Sequence, residues 1–271
     1  MSKKPVKAYQ NLDFLKSADA RLIRILAEYL EPARRFRKQK VKDTIVFFGS
    51  SRTTSREEAE KCYREMQEKY DSAPTAENAG ELKLCEKALE MSRYYEDART
   101  LSRLLTEWSL SLKNRHKRFL IVSGGGPGIM EAANRGASEV EGGQSIGLNI
   151  SIPTEQGFNP YITEELNFEF HYFFMRKFWF IYLAKALVIF PGGFGTMDEL
   201  WEVLTLTQTK KVTKNMPIVI YGTEYWNKVL NFQAMVENLV IDAKDLNRIH
   251  FSDHPREAFE YLQMMLSKQF L

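Results

Sequence analysis

The sequence has no long uninterrupted apolar run, only two cysteines and almost no charge imbalance, and each shortage closes off a class of protein. The greasiest stretch, Phe178 to Phe190, is broken by Lys185 and falls far short of the ~20 residues that span a bilayer. Met1 to Asn11 is polar and lysine-bearing, without the apolar segment of a secretory signal, so a cytoplasmic protein with no membrane partner is expected. Cys62 and Cys85 sit in helix-like stretches without CxxC or zinc spacing, which predicts free thiols in a reducing compartment. His116, His171, His250 and His254 also lack metal-ligand spacing, and no metal is expected. Lysines and arginines number 38 against 35 acids, a net charge of +3. That excess is too small for wholesale nucleic-acid binding, though it would not repel an anionic metabolite. The basic run Arg34–Lys42 is read as a solvated linker in preference to an RNA contact.

Against these gaps stands the composition of a globular core, 44% apolar and 27% charged. Leu12, Leu15, Leu22, Ile23, Leu26 and Leu30 give the first forty residues a helical stripe. Residues 1–42 are therefore read as an N-terminal helical extension that docks on the core or on a second subunit. Thr44–Phe48 is a β-branched and aromatic strand closing on Gly49-Ser50-Ser51, and Ser55 with Glu58 signals a capped helix running to about Tyr70. Ala76–Lys113 carries few breakers and helical apolar spacing, so one or two long helices are expected in an insertion covering about 71–115.

From Phe119 the pattern alternates. Strands are predicted at Phe119–Val122, Ser145–Ile152, Phe168–His171, Leu187–Phe190 and Ile218–Tyr221. Helices are predicted at Gly128–Val140, Phe173–Ala184, Gly195–Thr209, Tyr225–Leu239 and Pro255–Leu266. Short apolar strands alternating with helices call for a mostly parallel, doubly wound α/β sheet with helices on both faces. No repeat or linker divides residues 43–271, which are read as one Rossmann-like nucleotide-binding domain.

Two glycine-rich loops follow predicted strands and open predicted helices, Ser123–Gly128 and Pro191–Thr196. Either could be only a tight turn. Two of them at strand C-termini favour a ligand site, because an open parallel sheet binds ligands at that edge, where a helix N-terminus also attracts phosphate. Neither loop is a Walker motif or a complete dinucleotide fingerprint. Glu199, about one turn beyond the second loop, could reach a ribose attached to a cradled phosphate, where glycosidic chemistry needs an acid–base or charge-stabilising group. Asp198 could equally serve the helix dipole. Arg176 and Lys177 interrupt an otherwise apolar helix, which points to anion binding or an ion pair. Ser123 lacks the flanking pattern of a nucleophile elbow, and no lysine is marked out for a pyridoxal Schiff base.

At these residues a specific likeness emerges. Pro191-Gly192-Gly193-Phe194-Gly195-Thr196-Met197-Asp198-Glu199 resembles the P-G-G-x-G-T-x-x-E signature of the LOG ("lonely guy") family. These are nucleoside 5′-monophosphate phosphoribohydrolases often labelled "lysine decarboxylase". Arg176-Lys177 and Gly124–Met130 resemble the family's other motifs, with the likeness running roughly from Thr44 to Tyr221. Phe173 stands where short members carry methionine, and Phe158–Asn159 near where they carry glutamate. The added N-terminal and 71–115 segments resemble a longer bacterial branch.

The resemblance implies a modified Rossmann fold that hydrolyses an AMP-like or cytokinin-like nucleotide to free base and ribose 5-phosphate. It implies no cofactor, and a homodimer or larger even-numbered oligomer. Arg176 and Glu199 would be catalytic. Lys177, Gly192, Gly193, Phe194, Gly195, Thr196, Asp198 and Thr205 would bind the nucleotide, and Ser50, Gly124, Gly125 and Gly126 would line the same cleft. The alternative is a non-catalytic nucleotide or molybdenum-cofactor carrier, which could keep the glycine loops but has no need of the Arg176–Glu199 pair. The aromatic helix Tyr172–Ala184 is expected at or near the subunit contact, since a helix apolar all round needs cover on several sides.

Overall fold

A computed structural model of the chain describes residues 5–112, 116–151 and 157–271. The first residues of the polar start and the predicted ends at Lys113 and Ile152 lie outside them. Seven strands form one parallel sheet: β1 (Thr44–Phe48), β2 (Leu120–Ser123), β3 (Ser145–Ile150), β4 (Asn167–Phe170), β5 (Ala184–Ile189), β6 (Ile218–Tyr221) and β7 (Ile249–Ser252). Their spatial order is β4-β3-β2-β1-β5-β6-β7. The chain winds outward from β1 to β4, then returns to the other side of β1 with β5.

Alternation along β1 assigns the two faces. Ile45 and Phe47 join one apolar core, Val46 and Phe48 the other. On the Ile45 side lie α4 (Ala76–Ser111), α5 (Ile129–Ser138) and α10 (Pro255–Phe270). On the Val46 side lie α2 (Arg21–Lys38), α6 (Phe173–Tyr182) and α7 (Phe194–Gln208). Helices thus cover both faces, as the continuous apolar strands require. The segment anticipated as an insertion is mostly α4, a single helix in the β1-to-β2 crossover. It covers the sheet with Tyr95, Ala98, Leu101 and Leu105, all at most 1% exposed.

Several local expectations change. Ser55 caps α3 (Arg56–Ser72) through the reciprocal Glu58 box, as its spacing implies. The N-terminal segment is two helices, α1 (Leu12–Lys16) and α2, and the stripe Leu22, Ile23, Leu26, Leu30 faces solvent. Its docked seam is another one, Ile25, Pro32, Ala33 and Phe36. Trp179 Nε1 donates to Glu28 O at 2.9 Å and Arg35 Nη1 to Asn167 O at 2.8 Å, which ties α2 to α6 and β4. Cys62 and Cys85 are not free thiols. Their Cα atoms lie 5.9 Å apart on the adjacent helices α3 and α4, and they form a disulfide. The predicted helix Tyr225–Leu239 is split into α8 (Thr223–Val229) and α9 (Phe232–Glu237), because Asn231 accepts from Ala234 N and begins a new helix. Strand β7 is an addition to the predicted set. Among the described residues no helix is long and apolar enough to cross a membrane.

Candidate active site

The strand order reverses between β1 and β5, so the loops leaving their C-terminal ends diverge and open a crevice. A cleft of about 590 Å³ occupies that position, between the loop after β1, the first glycine loop and the start of α7. Backbone hydrogen bonds tie the three together. Ser50 N donates to Pro191 O at 2.9 Å, and Ile129 N donates to Ser50 O at 3.0 Å. Gly128 makes this closure possible: its φ is +72°, and a Cβ there would strike the Ser50–Ser51 backbone.

A buried polar lattice shapes the first glycine loop from behind. Ser123 Oγ accepts from Gly125 N at 3.0 Å and donates to Asn134 Oδ1 at 2.6 Å. Asn159 Nδ2 reaches the carbonyls of Gly125 and Gly126 at 3.0 and 3.1 Å. Every member has a partner, which makes such a lattice rigid. At Gly124 a Cβ would sit 2.5 Å from Arg176 Nη2, so the guanidinium lies directly on the loop. Arg176 is fixed by its Nε, which donates to Leu148 O at 2.8 Å, and by the Phe180 ring 5.1 Å away.

At the other wall α7 begins after Gly193, and no atom outside the loop itself comes within 4 Å of where side chains would start on Gly193 and Gly195. The first N–H groups of a helix have no intrahelical acceptor, so this open end is able to accept an anion. One turn further in, Glu199 is 7% exposed, and Oε2 has no hydrogen-bond partner among the described residues. Burial pushes its pKa from 4.5 up to about 7, against the pull of Arg176 and Lys177. Burial in turn lowers that of Arg176, which Glu199 partly offsets.

Ser50, Gly124, Gly126, Arg176, Phe194 and Glu199 come together on the cleft, as do Gly193, Gly195, Thr196 and Asp198. Gly125 and Gly192 do not line it: Gly125 is covered by the Asn149 side chain and Gly192 by that of Thr196. Lys177 does not line the cleft. Its Nζ bridges Asp198 at 2.7 Å and Glu202 at 3.2 Å, and although burial lowers its pKa those two partners raise it further. It holds Asp198 at the rim.

Thr205 is the clearest departure: it lines a different cavity with Trp201, Leu204 and Gln208. At 3.6 residues per turn these four lie roughly 140–240° around α7 from Glu199, on its opposite side. Sequence reasoning overlooked Arg52, Met130 and Asn149 as lining residues, and did not place Phe158 or Phe173 on the cleft. Asn149, a polar residue in the apolar run of β3, was the available signal. Its Nδ2 donates to Asn167 Oδ1 at 2.7 Å and Phe168 O at 2.8 Å.

Residues 130–262 match the model of a family described as "Possible lysine decarboxylase". The match takes in Arg176 and the whole loop Pro191–Glu199. A search of curated proteins found no match.

Proposed function

We propose that the chain hydrolyses the N-glycosidic bond of a nucleoside 5′-monophosphate, a reading that its match to the family model over residues 130–262 and its LOG-like motifs support. One observation carries the reading: a buried carboxylate with an uncommitted oxygen, beside a guanidinium and one turn inside an open, glycine-lined helix N-terminus. The 5′-phosphate takes the N–H groups at the start of α7. Glu199 stands five residues along, ~7 Å by helical rise, a distance that suits the anomeric carbon of the attached ribose. Arg176 orients the ribose phosphate.

In the transition state positive charge develops on the ribose ring, and ionised Glu199 stabilises it. The C1′–N bond breaks with its electron pair leaving on the base. A water oxygen bonds to C1′, its proton passes to Glu199 and from there to the departing base, so that free base and ribose 5-phosphate leave with Glu199 ionised again. Decarboxylation through a pyridoxal Schiff base would need a lysine on the cleft, and among the described residues none lines it.

The same reading takes a second copy as the protein's partner. Phe174, Phe178 and Tyr182 of α6 are 51, 37 and 52% exposed, and Tyr29 on α2 packs 5.6 Å from Phe178. The aromatic strip thereby continues into exposed Leu26 and Leu30. An apolar surface of that continuity is a self-association face.

Incubation with a panel of nucleoside monophosphates, followed by chromatography for free base, tests the function. Glu199→Gln should retain nucleotide binding within a few-fold and lose about 10²–10⁴ in turnover. Binding without release of base from any nucleotide would favour the carrier alternative.

A further inference from the structure

A second cavity, of about 310 Å³, opens on the side of α7 opposite Glu199. Its body is apolar, made by Trp201 and Leu204 of α7, Phe232 and Met235 of α9, and Leu246. Trp201 and Phe232 stand edge to face, 6.0 Å between centroids, and together give the cavity an aromatic wall. The polar groups at its edge are unbalanced. Lys210, Lys244 and Arg248 line it, against the single carboxylate of Asp245.

Asp245 is already engaged, accepting from Gln208 Nε2 at 2.7 Å and from Asp242 N at 3.2 Å. Two of the three cations are not. Among the described residues neither Lys210 nor Arg248 has an ion pair, and Arg248 Nη1 is shut off from solvent without a hydrogen-bond partner. Lys244 pairs only with Asp242 at 2.6 Å, and both side chains are at least two-thirds exposed. Such surface pairs are worth little and exchange readily. A buried guanidinium donor left without an acceptor is costly, and an incoming anionic oxygen would remove that cost.

We propose that this cavity is a binding site for a small amphipathic anion, a flat ring or short chain bearing one carboxylate, sulfonate or phosphate. The apolar body lies against Trp201, Phe232 and Leu246. The anionic head meets Arg248, flanked by Lys210 and Lys244. The volume stands at the lower end of the roughly 300–1,000 Å³ typical of ligand pockets, which suits a small ligand. The site is separate from the cleft and does not depend on which reaction the cleft performs.

Anilinonaphthalene sulfonate, whose emission rises in an apolar site, is the probe. One dye should bind per chain and quench Trp201, with the quenching reduced in Trp201→Phe. The double variant Lys210→Gln/Arg248→Gln should weaken binding by about tenfold or more. Lys210→Gln/Lys244→Gln, which changes exposed side chains only, should weaken it in the same direction with folding undisturbed. Leu26→Glu, on the exposed α2 stripe, should leave it unchanged. Naphthalene sulfonate should displace the dye at least tenfold better than naphthalene methanol, which has the same body and no charge. Dye binding that survives both double variants, or that disappears in Leu26→Glu, would overturn the assignment. Equal displacement by the neutral alcohol would remove the anion from it.

Discussion

Converting Glu199 to glutamine should make the protein more stable above neutral pH while removing its proposed activity. The carboxyl is 7% exposed, and its pKa is pushed from 4.5 to about 7, mainly by burial. Below pH 4.5 the group is protonated in both the folded and the unfolded chain and contributes no pH dependence. Between 4.5 and 7 the unfolded chain loses its proton while the folded one retains it, so the native state grows relatively less stable as pH rises. The full penalty, reached above pH 7, is about 3 kcal/mol at 1.36 kcal/mol per unit. Glutamine has a nearly equal shape and no proton to lose. Its amide adds a constant that is independent of pH. Urea unfolding of both proteins at pH 5 and pH 8 should therefore show the variant's relative stability improving by about 2 kcal/mol between the two. In thermal scans the difference amounts to several degrees. A difference that is the same at both pH values would refute the claim that burial controls this carboxyl.

Three further outcomes follow from the same geometry. With ionised Glu199 as the working form, kcat/KM on a monophosphate should rise with pH around a midpoint near 7, and a profile that falls there would make Glu199 a proton donor instead. AMP should be cleaved with a kcat/KM at least about 10²-fold above that of adenosine, since binding at the α7 N-terminus holds the ribose beside Glu199; equal rates would contradict the phosphate cradle. Light scattering at micromolar concentration should give at least twice the 31.5 kDa chain mass, and Phe178→Glu should lower it toward one chain; a monomeric parent would exclude the α2–α6 face as a self-association surface.

What was legible in the chain follows from how local each signal is. Thr44–Phe48 and Ile218–Tyr221 could be delimited to the residue, because apolar β-branched runs end there in turns. The capped start of α3 needed only Ser55 and Glu58, three residues apart. The cleft was legible because one wall of it is a continuous motif, Pro191–Glu199. The failures involve a choice among faces. Helix α2 carries two apolar stripes, and nothing in its own periodicity says that Phe36 docks while Leu26 does not. Thr205 lies on the same helix as Glu199, yet only the rotation between them decides which cavity it serves. The Cys62–Cys85 bridge joins two helices whose antiparallel register is a tertiary property. Strand β7 is too short and too mixed, Ile249-His250-Phe251-Ser252, to announce itself before β6 provides an edge to pair with.

The hydrogen bonds that clamp Ser50 between Pro191 and Ile129 divide the cleft into parts with different freedom to vary. Its floor is one stapled unit, in which a change at any loop is transmitted to the other two and to Arg176 resting on Gly124. Three aromatic side chains on the rim stand free of it: Phe158, Phe173 and Phe194 are 52, 54 and 93% exposed. On the proposed function, laboratory evolution toward a new base should therefore accumulate substitutions at these three side chains. A library randomised there can be large without a heavy load of unfolded members.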